Sequence, residues 1–183
     1  MRESILTAIL KWIIQKLTIM DDAGHISKGL GVIIILAPLM FIGHFLEEST
    51  GFVSWFNAHA SPPITPGLFW TVNITALVIT IIVTIIELAA PSFASAAFLI
   101  LWLSFLMLAN AIFHITGALV DWRYMPGLVT AIVLYLPYYF LVLGKLLQKG
   151  RLKLLPAIVL IFLGSVPMVI HSYLILFRGS RLF

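Results

Sequence analysis

The sequence predicts an all-α fold: a polytopic membrane helical bundle of about five transmembrane helices, with an N-terminal amphipathic interfacial helix. Three observations carry this. Of 183 residues, 62% are hydrophobic and only 10% are charged, whereas a soluble domain is about 25% charged. The apolar residues gather into runs of roughly 20 or more, long enough to cross a hydrocarbon core of ~30 Å. Short segments with Pro, Gly, Lys and Arg separate the runs. Residues 1–183 read as a single transmembrane domain, with no stretch long enough for a separate soluble one.

The first element is Met1 to Met20, where Ser4, Thr7, Lys11, Gln15 and Thr18 recur at helical spacing and form a polar stripe. Ile5, Ile9, Trp12 and Ile13 fall elsewhere on the wheel, so this is a helix lying in the membrane surface. Lys11 and Lys16 interrupt the apolar region and argue against a cleaved signal peptide. Asp21 to Lys28 is a polar linker. The first span is about 29–48; Pro38 inside it leaves the Ile34 carbonyl without its helical donor and predicts a kink. Ser49 to Pro66 reads as the longest loop, a stiff interfacial one with Trp55, Phe56, His59 and three prolines. The further spans are about 67–90, 93–120, 126–147 and 154–177. Pro91-Ser92, the stretch Asp121 to Gly127, and the basic turn Gln148 to Lys153 connect them. Pro126 is placed to start its helix.

With the N-terminus inside, the inner segments hold eight Lys and Arg (Arg2, Lys11, Lys16, Lys28, Lys145, Lys149, Arg151, Lys153) and the outer ones three (Arg123, Arg178, Arg181). This predicts a multi-pass cell-membrane protein with a cytoplasmic N-terminus. The net charge of +4 belongs to these flanking segments, so membrane lipids and not nucleic acid are the expected partners. No cysteine is present. Disulfides, thiolate metal sites, iron–sulfur clusters and cysteine nucleophiles are therefore excluded. Nucleophile-elbow, phosphate-loop and dinucleotide signatures are missing too.

The chemistry-bearing stretch is His44-Phe-Leu-Glu47-Glu48, at the end of the first span. Spacings of three and four put its imidazole and two carboxylates on one helical side. Alternation of the spans brings others to the same depth. Asn110 and His114 share a face in the outer half of the third span. His171 lies fifteen residues after Pro156, as His44 lies fifteen after Gly29, ~22 Å along a helix in each case. Asn73 is in the outer half of the second span, and Tyr124 is in the outer turn. Only Glu87 falls clearly on the inner side.

His44-x-x-Glu47-Glu48, Asn110-x-x-x-His114 and Tyr124-x-Pro126-Gly127 follow one another in the order found in the HXXEE family of bacterial membrane proteins, which the chain resembles. The three signatures reach from the first span to the fourth. The resemblance implies a shared site and suspected enzymatic activity, without a named reaction. His171 and Asn73 join the set on depth alone.

Histidine with carboxylate suits a divalent metal such as zinc or iron. The expected ligands are His44, Glu48, His114 and His171. The expected catalytic groups are Glu47 and Glu48, one of which would serve as general base, Asn110 for orientation or substrate binding, and Tyr124 for an oxyanion or headgroup. This is the logic of a hydrolase taking a lipid-like substrate at the outer face. A small ion- or proton-coupled transporter is the alternative, and a non-catalytic subunit of a membrane complex a third reading. The blander readings are solvated interfacial glutamates and satisfied core histidines. Glu87 reads as an interfacial or packing residue, Asp121 and Arg123 as a pair, and Tyr135, Tyr138 and Tyr139 as a kinked aromatic wall around Pro137.

Overall fold

The computed structural model describes residues 28–182; the expected N-terminal amphipathic helix lies outside the described residues. Six helices follow in order: α1 Lys28–Glu48, α2 Phe52–His59, α3 Pro66–Ala89, α4 Phe93–Asp121, α5 Leu128–Gln148 and α6 Leu154–Arg178. Helices α3 to α6 are each long and apolar enough to cross a membrane, and α1 with α2 forms a fifth candidate, bent by 67°. The chain is an all-helical membrane protein. The helix ends fall within two residues of the spans expected from hydropathy.

The stretch 49–66 is not a plain loop. Phe52, Trp55, Phe56 and His59 stand at i, i+3, i+4 and i+7, the spacing of one helical face, and they fold as α2. Proline and glycine on either side masked this short amphipathic pattern. Phe56 is buried under it.

Helix α4 is the central one: 56% of its apolar stretch is buried, against 22–28% for α3, α5 and α6. The outer three turn long apolar faces outward, as on α3 with Ile74, Ile81 and Ile85. Such faces are what lipid tails require. Helix α6 approaches α4 closely at Gly164. A Cβ there would stand 2.3 Å from the Leu101 carbonyl oxygen, so only glycine fits.

Proline shapes two helices. Pro38 has no N–H for the Ile34 carbonyl, and the Tyr138 hydroxyl compensates from α5. It donates to the Ile33 carbonyl at 2.9 Å and lies 3.5 Å from that of Ile34. In α5 a π-helical turn, Ala131–Tyr135, directly precedes Pro137. A second π turn, Ser104–Ala109, ends at Asn110 in α4. Such wide turns re-aim the side chains that follow them.

Beyond α6 the chain turns at Gly179, φ 60°, and folds back. The Ser61 N–H donates to the Gly179 carbonyl at 3.0 Å, and the Leu182 N–H donates to His171 Nδ1 at 3.2 Å. The expected Asp121–Arg123 pair is not seen among the described residues. Asp121 instead accepts from Trp55 Nε1 at 2.8 Å and pairs with His59 at 3.0 Å, which ties α2 to the end of α4.

Candidate metal centre

Helix α1 delivers His44 and Glu48 one turn apart, and both are buried. From α4, His114 meets them with Nε2 3.0 Å from Glu48 Oε1, while His44 Nε2 lies 3.5 Å from the same oxygen. One donor atom from each of the three residues lies within 4.8 Å of the others. The two imidazoles stand edge to face, 4.9 Å between centroids. His44, Glu48 and His114 thus form a group able to hold a metal ion.

Glu47 goes elsewhere. Consecutive residues on a helix are ~100° apart, so Glu47 and Glu48 flank His44 on opposite sides. Glu47 Oε1 accepts from the Tyr124 hydroxyl at 2.5 Å and the Val129 N–H at 3.1 Å. Its Oε2 accepts from the Thr130 N–H at 2.8 Å and the Thr130 hydroxyl at 2.5 Å. The first turn of α5 has orphan N–H donors, and its N-cap, Gly127, offers no side chain. Glu47 caps it from another helix, with its charge at the positive end of the dipole. Its carboxylate is fully engaged there, and the Tyr124 hydroxyl is spent on it. The geometry therefore offers neither Glu47 as a free base nor Tyr124 as an oxyanion donor. Burial first, and then the bond and charge of Glu47, push the Tyr124 phenol up to about 12.

This cap also orients the centre. Thr130 Oγ1 has a single proton, and at 2.5 Å it goes to the Glu47 carboxylate. The same oxygen lies 2.9 Å from His44 Nδ1, so it accepts there and His44 donates from Nδ1. The Nε2 of a neutral His44 is then a lone pair, turned toward the Glu48 carboxylate and His114. A carboxylate ordering a histidine through its far nitrogen is the usual support of a metal ligand; here a threonine hydroxyl stands between them.

Gly127 closes over the group. Its φ is 97°, and a Cβ on it would meet His114 Cε1 at 2.5 Å and Glu48 Cγ at 2.9 Å. The glycine of the Tyr-x-Pro-Gly signature therefore has both a turn and a close approach to satisfy.

Buried polar atoms without a hydrogen bond concentrate here. Among the described residues they are His44 Nε2, His114 Nδ1, Asn110 Oδ1, the Tyr135 hydroxyl and, away from this end, Thr84 Oγ1. Such atoms each cost about 1–3 kcal/mol when left unmatched, so four at one site mark a place built for something else. Tyr135 is fully buried, with its ring 4.2 Å from that of His44. Together with Thr130 it belongs to the site; the sequence reading assigned Tyr135 to a packed aromatic wall and passed over Thr130. The available signal was the tyrosine-rich turn beside Pro137, which is equally the pattern of a packed aromatic wall.

A cavity of about 160 Å³ adjoins the group, with Glu48, Asn73, Asn110, His171 and Arg181 as its polar lining and phenylalanines of α2, α3 and α4 as its walls. Of the polar residues matched by depth, Asn73, Asn110 and His171 line this space, while His44 and His114 reach it only through their contact with Glu48. Asn110 faces this cavity instead of bonding His114. His171 stands outside the three-residue cluster, with Nδ1 accepting from the folded-back tail and its ring stacked 6.4 Å from Phe56. His59 is likewise apart, stacked on Trp55 at 4.2 Å.

A family model described as a protein of unknown function with HXXEE motif matches residues 35–142. No curated protein and no solved structure matches the chain.

Proposed function

The chain belongs to the HXXEE-motif family, whose function is unknown, and from its geometry we propose that it is a metal-dependent membrane enzyme. Its reaction is hydrolysis of a lipid or other amphiphile, at the outer face by the count of flanking Lys and Arg. His44 Nε2, Glu48 and His114 hold the divalent ion, zinc or iron by their ligand types. The observation that carries this is the Thr130 hydroxyl. By giving its proton to Glu47 and accepting from His44 Nδ1, it leaves an imidazole lone pair facing a carboxylate. Two electron-rich groups buried face to face require a cation between them.

A divalent ion supplies Lewis-acid polarisation of a carbonyl or phosphoryl oxygen. The remaining tasks fall to the chain itself. Glu47 and Thr130 fix the His44 tautomer, and Gly127 admits no side chain over the centre. Asn110, which lines the cavity and whose amide oxygen is buried without a partner, hydrogen-bonds substrate once it turns toward it. The phenylalanine walls exclude bulk water from the space beside Glu48.

Metal analysis of purified protein tests the reading. Stoichiometric zinc or iron, lost in both His44→Ala and His114→Ala, is the expected result. Wild-type protein without metal that also takes none up on titration overturns it, and leaves a proton on His44 as the cation. Hydrolysis is then assayed over a panel of ester and phosphoester amphiphiles, with Glu48→Gln as the inactive control. A metal-loaded protein that cleaves none of them would retain the centre and lose the hydrolase assignment.

A further inference from the structure

The cavity beside Glu48 has a lipid side and a charged side. Leu68 and Val72 line it and are also part of the outward apolar face of α3, exposed by 39% and 52%. The space is therefore entered sideways, from where lipid tails lie. Across it stands Arg181, brought there by the folded-back tail. That tail is fastened by the bonds from Ser61 to Gly179 and from Leu182 to His171, and by the Ser180 N–H donating to the Leu174 carbonyl at 3.1 Å. Arg181 has no ion pair or hydrogen bond among the described residues, although Asp121, Glu47 and Glu48 occur at this end of the molecule. An ordered backbone thus presents a guanidinium with unused donors to an otherwise largely apolar space, which Asn110 and Asn73 also line.

We propose that this cavity binds the anionic head of a membrane lipid, presented laterally between the lipid-facing side of α3 and the C-terminal tail, with Arg181 as its counter-charge. This rests on the reading of a metal centre and names the substrate class. With a divalent ion held by two neutral imidazoles and one carboxylate, the ion and its three ligands carry a net charge of about +1, and Glu47 is turned away to the α5 N-terminus, so an anionic head meets favourable charge at both ends of the cavity. A guanidinium binds phosphate oxygens in pairs through its planar fork. The acyl chains need no pocket, because they stay in the bilayer along Leu68 and Val72.

The test offers full-length protein in a zwitterionic detergent an equimolar mixture of phosphatidylglycerol and phosphatidylcholine with matched acyl chains. Retained lipid is measured by native mass spectrometry. Wild type is expected to retain the anionic lipid by about tenfold over the zwitterionic one, the scale of a charged hydrogen bond. Arg181→Gln removes the preference, and Val72→Trp lowers retention of both lipids by obstructing the entrance without changing charge. Arg178→Gln, an exposed arginine outside the cavity lining, leaves the preference in place. Equal retention of both lipids by wild type overturns the proposal. So does a preference that survives Arg181→Gln or vanishes in Arg178→Gln. Metal content measured on the same samples separates the two readings. Bound metal without lipid preference defeats this inference alone, and lipid preference in a protein that takes up no metal defeats the metal centre alone.

Discussion

Two carboxylates are buried at opposite ends of the bundle, and their surroundings differ in kind. Glu87, near the end of α3, is 2% exposed and fully answered. Arg151 grips both of its oxygens, and the Ser95 hydroxyl donates to Oε2 at 2.5 Å. Arg151 Nη2 also donates to the Ser92 carbonyl at 2.8 Å, and Ser92 and Ser95 cap α4 reciprocally. Glu48, at the end of α1, is 5% exposed, and among the described residues its carboxylate has one hydrogen bond, from His114. Unmatched atoms of His44, His114, Asn110 and Tyr135 surround it. A saturated knot holds helices together and has no valence left for a ligand. The unsaturated group borders a cavity and keeps polar atoms unmatched, as a binding site would.

The largest effect that would break this contrast is at the knot. Arg151→Met leaves Glu87 buried and unpaired, and is expected to cost about 3–5 kcal/mol in denaturant unfolding in detergent. The double change Glu87→Leu with Arg151→Met should recover most of that loss. A neutral single variant would show that the knot is as dispensable as a surface pair. At the other end, stability should respond to metal instead. Zinc at a hundred times its dissociation constant is expected to stabilise wild type by about 2.7 kcal/mol and Glu48→Gln not at all, read from the same unfolding curves.

Smaller changes sharpen the comparison within the Glu48 end. Thr130→Val removes the link between Glu47 and His44, and is expected to weaken metal affinity about 10- to 100-fold, with Thr130→Ser restoring it. Gly127→Ala places a methyl on His114 and Glu48 at a positive φ, costing about 1–3 kcal/mol by thermal unfolding. Tyr124→Phe removes one of the bonds on Glu47 at a half-exposed position, and should cost under about 1 kcal/mol. Its signature is in pH. The folded phenol, raised to about 12, lies above the unfolded value near ~10. Its contribution is therefore whole below pH ~10 and lost as pH rises toward 12, and Tyr124→Phe should flatten that decline.

Depth was legible in the sequence and rotation was not. Counting residues along alternating spans placed His44, Asn73, Asn110, His114 and His171 at one level; Asn73, Asn110 and His171 line the cavity, and His44 and His114 meet Glu48 at its edge. Level says nothing of direction about a helix axis. Glu47 and Glu48 share a level, and ~100° of rotation sends one to the α5 N-terminus and the other to His114. Thr130 lies on the next span but two, so its bond to His44 links residues 86 apart, a separation no local spacing rule addresses. Arg151 read as a topology signal because its charge is visible in the sequence, whereas its reach to Glu87 depends on where a turn docks. The tail was unreadable for a similar reason, since Arg181 enters the cavity only because the chain reverses at Gly179.

That reversal divides the molecule by inheritance. His44, Glu48, His114, Gly127 and Thr130 all lie inside the stretch matched by the family model, residues 35–142. Met168, His171 and Arg181, which close the cavity, lie after it. The candidate metal centre and the residues that close the cavity are thus carried on different parts of one chain. On the proposed reading, changes in α6 and the tail would alter the cavity lining while leaving the donor set as it is. Members of the family are accordingly expected to share one chemistry and to diverge in diet. Exchanging the segment after residue 150 between two of them should exchange ligand preference without touching the donor set.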